Sequence, residues 1–323
     1  MTLRSLTKRL SFGAAAVALV FGAATGTVSA QETLRFLSWQ VEDPAYGPWW
    51  RGIIEEFEAA HPGVTIEFTN VPRDSYADQM TTLFASGSPP EIVHLASFEY
   101  PNLAELGWLE DLDPWIEEAG LDLDGWAGQG KCEWNGDTVC LMLLYFGTIT
   151  AYNEAMFEEA GLKVPATYEE HLEAARALTQ DTDGDGFIDQ YGVGLSTAGG
   201  PGQYLSEVLS YVIDAGGNWS NEQGEATLDT PEMIEALTRW KTMISENLTP
   251  LDLASGDVRQ LFIEGKIAQR TDGPWLYGII QKAEPEVLEQ IKLTAPPFHP
   301  PMGGSSNILA MPSEIDDETK QLV

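Results

Sequence analysis

Two hydrophobic periods alternate along the chain, and their order limits the fold more than any other feature. Residues 33–38 (TLRFLS) read as a strand. Trp50, Ile53, Ile54 and Phe57 then recur at helical spacing, and His61-Pro62-Gly63 stops that helix. Val64, Ile66 and Phe68 alternate as a second strand. Tyr76, Met80, Leu83 and Phe84 return to helical spacing until Gly87 to Pro90 break it, and residues 91–96 (EIVHLA) form a third strand. This β-α-β-α-β order predicts an α/β domain with a largely parallel sheet.

The middle of the chain behaves alike. Asn153 caps a helix that runs to Ala160, with Gly161 as its stop. Thr167 and Glu170 have capping-box spacing, and Tyr168, His171, Leu172, Ala175 and Leu178 form the stripe behind them. His171 falls on that stripe and reads as packing. Leu205, Val208, Leu209 and Val212 mark another helical face, closed by Gly216-Gly217. Thr230 caps the next helix, Pro231 takes its first position, and Leu237, Trp240 and Ile244 are expected to face inward. Residues 266–270 (KIAQR) read as a short strand.

Arg4, Lys8 and Arg9 precede an apolar run at residues 10–24, and Val28-Ser29-Ala30 gives an A-x-A-like cleavage site. The run is too short to span a bilayer and predicts a secretory signal peptide over residues 1–30, hence a periplasmic protein. Its removal leaves 14 Lys and Arg against 50 Asp and Glu, a net charge of −36. Such charge repels nucleic acid and anionic membrane surfaces. The 293 residues that remain exceed what one core usually serves, so two domains are expected.

Cys132 and Cys140 are the only cysteines, and an oxidising compartment makes a disulfide the default. Asn135-Gly136-Asp137 lies between them, where a three-residue hairpin turn would set the two opposite each other. Catalytic signatures are poor: no G-x-S-x-G, H-E-x-x-H, P-loop or G-x-G-x-x-G after a strand occurs. The chain is therefore expected not to be an enzyme, and no cofactor is required. The sharpest local motif is the acidic run Asp181, Asp183, Asp185 and Asp189, with Gly186 at position six and the Phe187 carbonyl at position seven of a calcium-type loop. Position twelve is Gly192 where a bidentate Glu belongs. A weak structural calcium site and a solvated turn both fit.

Aromatic residues gather where strands give way to helices. Trp39 follows the first strand, Phe98 and Tyr100 the third, Tyr145 and Phe146 the cysteine hairpin, and Trp275 follows Asp272-Gly273-Pro274. Ligands of α/β sheets sit beyond the carboxyl ends of strands. Flat aromatic faces stack on apolar sugar faces, while neighbouring polar side chains bond the hydroxyls.

In order, LRFLSWQ, IIEEFEAAHPGVTIEF, ASGSPPEIVHLAS, LAELGWLEDLDPWI, NGDTVCLMLLYFGTITAYNEAMFEEAGL, PATYEEHLEAARALTQDTDGDGFIDQYGVGL, DAGGNW, TLDTPEMIEALTRW and IAQRTDGPWLYG resemble successive segments of one family. It is extracellular solute-binding protein family 1, the sugar-binding proteins of ABC transporters typified by maltose-binding protein. The resemblance covers residues 33–311 and implies an α/β, two-lobed periplasmic-binding-protein fold, class II-like, hinged by crossing segments. It implies an N-terminal lobe over 31–140, a C-terminal lobe over 141–290, and a segment crossing back over 291–323. Ligand contacts are implied for Trp39, Gln40, Asp43, Ser97, Phe98, Glu99, Tyr145, Phe146, Gln203, Tyr204, Trp275 and Gly303, with Glu207 near them. Trp275 falls where the family places a stacking tryptophan. Members usually continue beyond Gln321-Leu322-Val323, so the chain is expected to be a fragment with an incomplete second lobe. The implied ligand is a carbohydrate (sugar, oligosaccharide or polyol), the partner is a membrane permease, and the protein is a monomer. The rival reading is a secreted carbohydrate-active enzyme, a glycosidase or lyase, with paired cleft carboxylates. A third is a binding module feeding a membrane sensor.

Overall fold

The computed structural model describes residues 32–44, 46–199, 201–221, 225–300 and 305–323, with the backbone alone at 201–206 and 305. The expected signal peptide and Gly303 lie outside the described residues. No helix among them is long and apolar enough to cross a membrane.

The first lobe opens as the periodicity predicts. Strand β1 (Glu32–Ser38) leads to α1 (Tyr46–Ala60), β2 (Val64–Asn70), α2 (Arg73–Ala85) and β3 (Ile92–Ala96). β1 pairs with β2 and β3 in parallel. Alternation along β1 divides the packing. Phe36 meets Trp50 and Ile54 on one face, and Leu37 meets Tyr76, Met80 and Phe84 on the other. Met80 and Phe84 are buried, each burial stabilising by about 2 kcal/mol. Helices α3 (Tyr100–Glu105) and α4 (Asp113–Ala119) follow.

The cysteine hairpin is tighter than expected. Strands β4 (Glu133–Trp134) and β5 (Asp137–Thr138) close through the pair Trp134–Asp137, so the turn is the two residues Asn135-Gly136. Both have positive φ, 54° and 100°, which a type I′ turn requires and Asn-Gly supplies. Asp137 is therefore strand and not turn. The Cys132–Cys140 disulfide spans 5.0 Å between Cα atoms, and both cysteines sit in the first-lobe core.

Strand β6 (Leu141–Phe146) belongs to the first sheet, although the sequence boundary falls at residue 140. Its apolar run is half-buried beside a returning strand. After Gly147-Thr148 the chain enters β7 (Ile149–Asn153), the centre of a second, antiparallel sheet of order β8-β7-β9. Asn153 caps α5 (Glu154–Glu159) by accepting from Met156 N, and Thr167 caps α6 (Tyr168–Leu178) by accepting from Glu170 N. Helices α7 (Pro201–Asp214), α8 (Pro231–Ser245) and α9 (Ser255–Ile263) follow. Met233, Ala236 and Met243 form the buried face of α8, while Leu237 is 43% exposed. The inward stripe is thus rotated from the expected one, because α8 packs on α7 through its small and flexible residues. Strand β8 (Gln269–Asp272) starts three residues later than expected, with Ile267 only bridged to Tyr191. Helices α10 (Leu276–Ile280) and α11 (Pro285–Gln290) lead to β9 (Ile291–Thr294), which pairs with β7 and so stays in the second lobe. Strand β10 (Ser305–Ala310) is again in the first sheet, inserted antiparallel between β3 and β6, and α12 (Asp317–Lys320) closes the described chain. The chain thus forms two α/β lobes, and β6 and β10 of the first sheet flank the second lobe in sequence.

Candidate functional site

A cavity of about 480 Å³ lies between the lobes. Its first wall comes from the loop after β1 (Trp39, Gln40, Asp43), the start of α2 (Arg73, Asp74) and the turn after β3 (Phe98, Glu99). Its second wall comes from α6, α7, α9 and the end of β8, and Phe146 and Thr148 lie at the crossing. The β1 and β3 loops leave the carboxyl ends of parallel strands, which is where such sheets bind ligands.

The first wall is braced from beneath. Trp39 stacks on His94 at 4.0 Å between centroids, meets Tyr76 edge-on, and carries the Arg73 guanidinium 4.7 Å from its centroid. His94 is wholly buried. Burial, then Arg73, pushes its imidazole down to about 3, so the ring is neutral. Ser38 Oγ lies 2.9 Å from its Nδ1. Arg73 bonds Glu99 at 2.8 Å, and the other Glu99 oxygen accepts from Ala96 N. Gln40 is 4% exposed, and its Oε1 accepts from Trp50 Nε1.

The second wall is built on a buried charge chain. Arg270, 1% exposed, donates to Asp272, the Gly194 carbonyl, Glu207 and Ser255. Arg259 donates to both oxygens of Asp272 at 2.8 and 3.0 Å. Burial raises the Asp272 carboxyl, but the two guanidinium groups overcome it and hold it well below the carboxylate range. Such a chain fixes side chains in place, since every member holds its neighbours. Trp275 stands over it, 5.8 Å from the Arg259 guanidinium, with Phe146 edge-on at 5.0 Å. A Cβ at Gly273 would lie 2.1 Å from the Trp275 ring, so only glycine allows this approach.

Of the residues expected from sequence, the cavity brings together Trp39, Gln40, Asp43, Phe98, Glu99, Phe146 and Trp275. Ser97 and Tyr145 are not in its lining. Tyr145 is 43% exposed and packs over Gly128, with Lys131 Nζ 5.5 Å from its ring. Gln203 and Tyr204 lie in the first turn of α7, where only the backbone is described. Three arginines line the cavity where the sequence reading expected aromatic, acidic or neutral side chains alone. The legible signal was Arg270-Thr271-Asp272: residues two apart in a strand share a face.

The acidic loop lies outside this lining. Oxygens of Asp181, Asp183 and Asp189 converge within 4.8 Å, without Asp185. Asp181 accepts from Gly184 N and Gly186 N, Asp189 accepts from Thr182, and Phe187 is 74% exposed.

The family model for bacterial extracellular solute-binding protein matches residues 42–320. A binding protein of Brucella abortus (strain 2308) is 26% identical over 252 residues, 75% of this chain and 58% of that one. The chain thus spans little more than half the length of this curated relative. Among solved structures, an ABC transporter solute-binding protein from Agrobacterium radiobacter K84 in complex with ribitol superposes with a TM-score of 0.75 at 23% identity, covering 91% of this chain and 74% of that one. One from Thermotoga lettingae TMO bound with alpha-D-tagatose gives 0.72 at 23% identity, over 90% and 75%. With two lobes, a cavity between them and a family match over most of its length, the chain belongs to the bacterial extracellular solute-binding proteins.

Proposed function

We propose that the protein binds a carbohydrate (a sugar, an oligosaccharide or a polyol) between its lobes and delivers it to the permease of an ABC importer. It does so as a monomer in the periplasm, after loss of residues 1–30, and performs no chemistry on its ligand. The observation that carries this reading is Trp275. It is an aromatic platform at the end of a strand, edge-buttressed by Phe146 and facing a cavity sized for a small ligand. Glu99, Glu207 and Asp272 line the same cavity and offer oxygens that can accept from hydroxyls. The bound ribitol and tagatose of the two similar structures agree with it.

The enzyme reading fares worse on charge. A glycosidase acid needs a raised pKa, whereas three of the six carboxylates lining the cleft, Glu99, Glu207 and Asp272, are each bonded to an arginine, and Asp272 is held down. Tryptophan fluorescence during titration with ribitol, D-tagatose, D-mannitol and maltose tests the proposal. A saturable change with the sugar recovered intact is expected. Turnover, or no response from a folded sample, would overturn it.

A further inference from the structure

Polar atoms buried without a partner are costly and uncommon. Among the described residues, four such side-chain atoms belong to the lining of this one cavity: Thr148 Oγ1, His171 Nε2, Tyr211 Oη and Trp275 Nε1. Thr148 follows β6 at the crossing, and Trp275 follows β8. His171 and Tyr211 lie deep in the second lobe, 2% and 1% exposed. Both rings pack on Phe298, with centroids 5.6 and 4.9 Å away, and Val193 and Leu195 add apolar wall.

From this clustering we propose that the cleft extends into a chamber of the second lobe, where His171 and Tyr211 receive a hydroxyl-bearing end of the ligand. The inference rests on the carbohydrate reading above and names which part of such a ligand goes where.

The donors and acceptors select the group. His171 Nδ1 lies 3.0 Å from Gln269 Oε1 and donates to it, which leaves Nε2 an acceptor. Burial pushes this imidazole down to about 4, so it stays neutral at physiological pH. Burial, with Glu207 adding, raises the Tyr211 phenol, so it keeps its proton and can donate. A hydroxyl satisfies both, because it donates and accepts. A carbonyl or carboxylate cannot donate to Nε2. An ammonium finds no free charge, since Glu207, one turn before Tyr211 on α7, is bonded to Arg270 at 2.9 Å.

Tyr211→Phe removes the hydroxyl and keeps the ring on Phe298. Because that hydroxyl makes no bond within the described protein, the melting midpoint should hold. Calorimetric titration of the wild type, Tyr211→Phe and Trp275→Ala with ribitol, D-tagatose, D-mannitol and maltose decides the matter. The proposal predicts that Tyr211→Phe weakens the tightest of these about five- to tenfold. If Trp275→Ala weakens binding and Tyr211→Phe leaves it unchanged, the chamber inference fails and the cleft reading stands. If the folded wild type binds none of the four, both fall together.

Discussion

Trp275 lines the cavity, as D-G-P-W at a strand end suggests, and the proposed reading makes it the platform for the ligand. Trp275→Ala should weaken carbohydrate binding by at least about 1 kcal/mol through lost stacking and burial, measured by calorimetry. Unchanged affinity would remove it from the site. His171 shows where reading stopped. Its spacing placed it correctly on a buried stripe, but periodicity cannot say that one ring nitrogen would lack a partner. Its titration has a second consequence, shared with His94. Both are held neutral, folded values near 4 and 3 standing below the free imidazole value of about 6.5. The stability they confer is complete above that value and is lost as pH falls, because the unfolded chain takes up the protons first. Each imidazole costs about 2–3 kcal/mol over the two units below pH 6.5. Denaturation at pH 7 and pH 4.5 should show that loss, and His94→Gln should remove about half of it, His171 supplying the rest; equal slopes in the two proteins would refute the assignment.

At the scale of elements, the alternating strands and helices of the first lobe were legible because binary pattern and stop signals agreed. Misreadings arose where packing between elements decides. The α8 stripe turned because α7 accepts Met233, Ala236 and Met243. Strand β6 joined the first sheet because β10, more than 150 residues later, provides its partner. Periodicity in one segment carries no trace of either neighbour. Two element-level predictions follow from close fits. Gly273→Ala should drive the Trp275 ring from its seat and lower carbohydrate affinity while the fold survives; affinity equal to wild type would show the ring accommodates a methyl group. Replacing both Cys132 and Cys140 by Ser should cost about 2–3 kcal/mol in urea denaturation, since the bond closes a short loop in the first-lobe core. A midpoint that does not move would place the hairpin's order in Asn135-Gly136 instead.

At the scale of the whole molecule, two lobes flank one cavity, with residues 147–148 passing from one to the other. On the proposed reading, a ligand that bridges both walls shifts the population toward a closed form. The acidic surface acts against compactness at the same scale. With a net charge of −36 after residues 1–30, raising salt from about 0.01 to about 1 M should raise the melting midpoint by screening self-repulsion. The most direct test of the central claim is a crystal structure of the protein grown with whichever of ribitol, D-tagatose, D-mannitol or maltose binds most tightly. The account predicts the sugar between the lobes, one face on Trp275 and polar contacts to the loop after β1. A sugar bound outside the cleft, or touching one lobe alone, would contradict it.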